Sequence, residues 1–214
     1  MPDYYQHEDD GAVHTRFSDL VRCTEKSVLT VARELLYGRS NYSSDIIEFG
    51  KVRHEMWQKE SDITGKTPQV FKDELGFEMN IDVVEKEFSC TIFPGVVLHS
   101  TLDAGSMADG VIIDYKTGTL GADEEKSRHH FKQTYSRSRQ HLTYGLQFLA
   151  KGIVPKKAVY LGEYWNKERT ELLGYEIVEI PFDITDIVEF KNSWLKDRCE
   201  RLIVALDYFR NNQG

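Results

Sequence analysis

Three side chains in the stretch 100–118, STLDAGSMADGVIIDYKTG, have types and spacing that could act together: Asp103, Asp114 and Lys116. The run Val111-Ile112-Ile113 is apolar, and a turn from Gly105 to Gly110 separates it from Leu102-Asp103. That pattern predicts two short strands joined by a tight turn. Period-2 alternation puts Asp114 and Lys116 on one face, and Asp103 on the neighbouring strand can face them across the hairpin. Two carboxylates and an ammonium among apolar strands need compensation, because unpaired buried charge is costly. One compensation is an ion pair of Lys116 with either carboxylate at a sheet edge. The other is a hard divalent cation, Mg²⁺ or Mn²⁺, held by the two carboxylates and a backbone carbonyl. Lys116 would then orient and help to activate an attacking water.

Acid, hairpin, then acid-x-Lys resembles the signature of the PD-(D/E)XK nuclease superfamily. Asp103, Asp114 and Lys116 match it one for one, with Leu102 in place of the family's Pro and Ser100 where a Gly is frequent. Further along the chain the likeness narrows to the RecB-like exonuclease branch. It is carried by the helix opening with Phe17-Ser18, Leu20 and Cys23, by Gly50 and His54 four apart, and by Gln140 and Tyr144 four apart. The resemblance implies an α/β fold with a restriction-endonuclease-like core, a mixed central β-sheet flanked by helices. It implies that His54, Asp103, Asp114 and the Tyr115 backbone carbonyl hold one or two Mg²⁺ or Mn²⁺ ions, with Glu87, preferred to Glu85, as a weaker candidate. Gln140 and Tyr144 would line the cleft and orient the substrate strand. A lone His on an apolar helix face can equally be a packing residue, and Glu87 can equally be a surface residue of an edge strand. In the iron–sulfur branch of the family a Cys at the position of Cys23 is one of four ligands. Only Cys199 lies near the C-terminus here, so no iron–sulfur cluster is expected and Cys23 reads as a packed core thiol.

The activity so implied is metal-dependent hydrolysis of DNA phosphodiesters, most simply by an exonuclease acting on single-stranded or duplex ends in recombination, repair or phage-type replication. Alternatives are a structure-specific endonuclease of the junction-resolvase type and a non-cleaving DNA-binding subunit on the same fold. An acidic protein–protein module with a structural ion pair is a third. A homo-oligomer, or a partner protein from recombination or replication, is left open.

Composition sets bounds on all of these. The chain has 214 residues, 40% hydrophobic, enough for a substantial core. No apolar run reaches membrane-spanning length, and the N-terminal MPDYYQHEDD is not a signal peptide, so no membrane is expected. Cys23, Cys90 and Cys199 are widely spaced without a CxxC pair, which fits a reducing, cytoplasmic compartment and is compatible with phage or viral coding. The net charge of −8 argues mildly against a nucleic-acid partner. Against it stands one local asymmetry: no acidic residue occurs from 126 to 149, while Lys126, Arg128, Lys132, Arg137 and Arg139 do. Phe131 and Tyr135 interleave, with His129, His130 and His141 in reserve. Such a run is either a solvated basic face or a strip that neutralises phosphates.

The elements that must position these groups follow from periodicity. Residues 1–13 read as a flexible arm and 14–214 as a single nuclease domain. A helix is expected over 14–39, with Ser18 as N-cap and Gly38 as stop. A second runs over 43–60, with Ile46, Ile47, Gly50, His54 and Trp57 along one face. A loop over 61–79 includes a short helix near 71–75. Strands are expected over 79–91 and from 96 to Asp103. One long helix over 127–151 carries both the basic run and Gln140–Tyr144. Strands over 157–164 and 174–181, then a helix over 187–209, complete the chain.

Overall fold

The computed structural model describes residues 11–24, 27–37, 45–119 and 123–212. Residues 1–10 of the expected arm, the Gly38 stop and the start of the second helix at 43–44 lie outside that range. The strands are β1 (Val13–Arg16), β2 (Val83–Phe93), β3 (Val96–Ser106), β4 (Val111–Thr119), β5 (Lys157–Trp165) and β6 (Leu172–Pro181). The helices are α1 (Phe17–Arg22), α2 (Val28–Tyr37), α3 (Asp45–Thr64), α4 (Gln69–Leu75), α5 (Glu124–Ser136), α6 (Gln140–Ala150), α7 (Ile184–Phe190) and α8 (Lys196–Asn211). Among the described residues the strands pair into a six-stranded mixed sheet in the order β1-β3-β4-β5-β6, with β2 also on β3. β1 runs parallel to β3 and β4 parallel to β5, while β3–β4 and β5–β6 are antiparallel. This is the mixed α/β architecture expected from sequence. No helix among the described residues is long and apolar enough to cross a membrane.

The chain divides into two compact units. One comprises Ser43–Lys86 and Thr101–Asp183. Its sheet has two differently built faces, because neighbouring residues of β4 point to opposite sides. On one side Trp57 of α3 and Phe71 of α4 pack against Tyr115, with Ile113, Val159 and Leu161 around them. The segment expected as a loop over 61–79 is therefore largely structured: α3 continues to Thr64, and α4 drops Phe71 into the core. On the other side Phe131 of α5 packs on Tyr160 and Tyr164. Gly162 between those tyrosines makes that approach possible, since a Cβ there would lie 2.5 Å from the Phe131 ring.

The expected single helix over 127–151 is two helices. The break falls at Ser136-Arg137-Ser138-Arg139, where short hydroxyl side chains compete for backbone groups. Ser136 Oγ donates to the Gln133 carbonyl, and Ser138 Oγ accepts from the Gln140 N–H. α6 therefore starts afresh at Gln140.

The other unit comprises Met1–Tyr42, Glu87–Ser100 and Ile184–Gly214. The helix expected over 14–39 is a strand followed by two helices. The alternating Val13-His14-Thr15-Arg16 joins β3 as β1, in register with Val96–His99, and buries Thr15. Asp19 Oδ2 then accepts from the Arg16 N–H, so the helix opens with Arg16 rather than Ser18 as its N-cap. The final helix is likewise interrupted, by a π-helical turn at Lys191–Leu195 between α7 and α8. Leu20, Val31, Ala32, Leu202 and Leu206 are buried in this unit together with Cys23 and Cys199. Burial pushes both thiols up to about 12, which keeps them inert.

Candidate active site

The site begins where the β3–β4 ladder stops. The hairpin is paired at Ser106–Val111, Gly105–Ile112 and Ala104–Ile113. Past that point the Tyr115 N–H donates to a side chain, Asp103 Oδ2, at 2.8 Å. A strand residue presents its N–H and C=O to the same side, so the Tyr115 carbonyl faces the same opening. Asp103 and Asp114 stand one step beyond the last paired residues and face each other across it.

Asp114 forms an ion pair with Lys116, two residues along the same strand face. α6 supplies the next layer from one helical stripe. Gln140 Oε1 lies 3.4 Å from Lys116 Nζ, and its Nε2 lies 3.5 Å from Asp114 Oδ1 and 3.0 Å from Tyr144 Oη. The Tyr144 hydroxyl reaches the Thr101 carbonyl at 3.2 Å and Asp114 Oδ1 at 3.5 Å. Burial, then the charge of Asp114, holds that phenol well above its ordinary range, so it stays a neutral donor. The Lys116 ammonium also lies 5.4 Å from the ring centroid of Tyr135 and 5.8 Å from that of Tyr160. From α3, His54 brings Nδ1 to 3.9 Å from Asp103 Oδ2.

The electrostatics are crowded. Burial, reinforced by Asp114, pushes the Asp103 carboxyl up to about 8 despite Lys116 and the Tyr115 N–H. Burial, then Lys116, pulls His54 down to about 4, leaving a neutral imidazole able to act as a nitrogen ligand. For Lys116 burial works against the charge, but Asp114 outweighs it and raises the ammonium. Among the described residues no three His, Cys, Asp or Glu side chains form a ready-made metal cage. The chemistry of the donor set nevertheless fits a hard cation: two mutually repelling carboxylates, an open carbonyl and a neutral imidazole. A dication held by the carboxylates would relieve the repulsion that Lys116 and the Tyr115 N–H offset here.

The structure thus gathers Asp103, Asp114, Lys116, Gln140, Tyr144 and His54. Glu87 is an exposed residue of β2 and falls in the other compact unit, while Glu85 is exposed with φ +46°.

The basic run is less free than its composition suggests. Lys126 pairs with Asp123 at 2.8 Å but remains 85% exposed. Arg128 pairs with Glu124, donates to the carbonyls of Tyr175 (3.1 Å) and Leu173 (3.3 Å), and lies over the Tyr164 ring. Gly174 between those carbonyls has φ +147°, and a Cβ there would lie 2.5 Å from Arg128 Nη2. Arg128 therefore ties α5 to β6. Lys132 pairs with Glu176 at 3.2 Å. Arg137 and Arg139 are exposed at the break between α5 and α6, so Lys132 and Arg139 do not share the face of one helix.

Sequence reasoning named Tyr135 only as an aromatic within the basic run, and it missed Tyr160 and the Thr101 carbonyl. Tyr160 lies beside Asp114 in the β4–β5 register and shares its face, a pairing of distant strands that no local spacing rule reveals. It also missed Arg53 and the buried Glu163, whose signal was an acid inside the apolar run 158–164.

No family model matches the sequence, and no curated protein matches it. Solved structures share its fold. An alkaline exonuclease from Laribacter hongkongensis, LHK-Exo, is 11% identical and superposes with a TM-score of 0.53 over 94% of this chain and 92% of its own. LHK-Exo in complex with dAMP gives 10% identity and 0.54 over 92% and 91%. A phage-related exonuclease from Haemophilus somnus 129PT gives 10% identity and 0.57 over 95% and 97%. At such identities the likeness is one of fold, over nearly the whole of each chain.

Proposed function

We propose that this protein is a metal-dependent DNA nuclease of the PD-(D/E)XK type, acting as a RecB-like exonuclease at DNA ends in recombination, repair or phage-type replication. The observation that carries the proposal is the convergence of Asp103, Asp114 and Lys116 with Gln140 and Tyr144 where the β3–β4 ladder opens. The exonuclease names of the structural neighbours, and the deoxynucleotide held by one of them, support DNA as substrate.

In this proposal Asp103, Asp114, the Tyr115 carbonyl and His54 hold Mg²⁺ or Mn²⁺. The ion, when bound, supplies a Lewis acid for the scissile phosphate and lowers the pKa of a bound water. The chain's own residues do the rest. Lys116, held by Asp114 and Gln140, positions the attacking water and stabilises negative charge as it grows on the phosphoryl oxygens. Asp114 keeps the ammonium charged, so it acts as an electrostatic donor rather than a base. Gln140 and Tyr144 orient the substrate strand. Lys126, Arg137 and Arg139 supply attraction for phosphates, a role that Arg128 and Lys132 share less because of their partners on β6.

The test is incubation of the purified protein with end-labelled single- and double-stranded DNA in Mg²⁺, Mn²⁺ or chelator. The expected result is nucleotide release from linear DNA in either metal, none in chelator, and an intact covalently closed circle. No release from any DNA would overturn the nuclease reading, and a cut circle would move it to an endonuclease.

A further inference from the structure

On the face of β5 opposite Tyr160, Glu163 has no exposed side-chain surface. Arg53 of α3 holds it by two 2.8 Å hydrogen bonds, from Nε and Nη2 to the two carboxylate oxygens. The guanidinium also lies 5.4 Å from the Trp57 ring and 5.3 Å from the Trp165 ring, and Phe49 meets Trp165 edge-on. Phe49, Arg53 and Trp57 are spaced four apart, so one stripe of α3 is fixed against the sheet. His54 follows Arg53 and projects about 100° further round the helix. That turn carries it to Asp103, with Nδ1 3.9 Å from Oδ2.

A buried ion pair adds little net stability over apolar residues of similar size. What a bidentate pair adds is direction. Apolar contacts such as Trp57 on Tyr115 tolerate rotation and sliding of a helix, whereas two parallel hydrogen bonds to one carboxylate do not. We propose that Arg53 and Glu163 are positioning residues: their pair sets the rotation of α3 that presents the His54 imidazole to the Asp103 carboxylate. The functional consequence rests on the metal reading of His54 given above; the positioning itself does not.

The test uses the double variant Arg53→Met with Glu163→Leu, which leaves no orphaned charge, beside His54→Ala and the triple variant. Arg53→Lys, which keeps the charge but loses the fork, provides a second, milder break. Two readouts separate the claims. In the metal-free protein the ¹⁵N–¹H spectrum of the His54 ring should shift and broaden in both pair variants. In Mn²⁺ calorimetry the double variant and His54→Ala should each lose about 10- to 100-fold in affinity. The triple variant should bind no more weakly than His54→Ala, within about threefold, because the pair acts through His54. An unmoved His54 ring, or losses that multiply in the triple variant, would overturn the positioning role. Wild-type affinity in His54→Ala with a displaced ring in the double variant would instead remove His54 from the metal site and leave the positioning intact.

Discussion

Arg53 and Glu163 meet through two 2.8 Å bonds, and both carboxylate oxygens are used. At the end of the β3–β4 ladder, Asp114 is buried and Asp103 and Lys116 are partly buried, and these groups are differently served. Asp114 Oδ1 has only 3.5 Å contacts from Gln140 and Tyr144, and Asp103 is driven up to about 8. Both regions hold buried charge on the same pair of strands or beside it. A saturated pair in low dielectric rigidifies, while a partly satisfied cluster is held at a cost that a ligand can remove. The first reads as scaffold and the second as the place where chemistry happens.

The contrast breaks most severely at Lys116. Lys116→Ala should keep Mn²⁺ and DNA affinity but lose on the order of a thousandfold in single-turnover rate, because its contribution is made to the transition state. A rate within tenfold of wild type would remove Lys116 from the mechanism.

Next in size is a pH effect in the metal-free protein. The folded chain keeps the Asp103 proton up to about pH 8, whereas the unfolded chain releases it near the ordinary value of 3.8. This group's contribution therefore falls as pH rises between those limits. His54 acts in the opposite sense between about 4 and 6.5, where the unfolded chain binds the proton and the folded one does not. Above 6.5 only Asp103 remains of the two, so metal-free stability should decline toward pH 8, by up to about 1.4 kcal/mol per pH unit. Chemical denaturation across that range should show the decline in wild type and its loss in Asp103→Asn.

The basic run sharpens the same distinction on a smaller scale. Arg128→Ala removes charged hydrogen bonds to two carbonyls of β6. It should lower stability by about 2 kcal/mol and flatten the salt dependence of DNA binding less than Lys126→Ala does. Lys126→Ala, at an exposed site, should leave the melting temperature alone and flatten the slope of log K against log salt by about 0.7 to 0.9. Fluorescence anisotropy in Ca²⁺ over a salt series, beside thermal melts, checks both; equal slopes in Lys126→Ala and wild type would return that lysine to the solvated face.

How much of this was legible in the chain depends on the range of each interaction. Asp114 and Lys116 could be placed together because strand alternation is a local rule, and Gln140 and Tyr144 because helical spacing is another. The strand at Val13–Arg16 straddles the expected arm and the expected helix over 14–39, because a short alternating run acquires its state from its partner on β3. The break at 137–139 was hidden by arginines that favour helix, although the serines beside them do not. From sequence Arg128 could be read only for its charge, because the carbonyls it also meets in the fold, on Leu173 and Tyr175, lie 45 and 47 residues away. Arg53 and Glu163 are 110 residues apart, beyond any spacing rule.

The central claim is that Asp103 and Asp114 together hold a divalent metal that hydrolysis requires. Calorimetric titration of Mn²⁺ into wild type and into the Asp103→Asn, Asp114→Asn double variant tests it most directly, with circular dichroism to confirm that both are folded. The account predicts saturable binding in wild type and none in the double variant. Unchanged affinity in the double variant would contradict it and would leave the cluster as a structural ion pair.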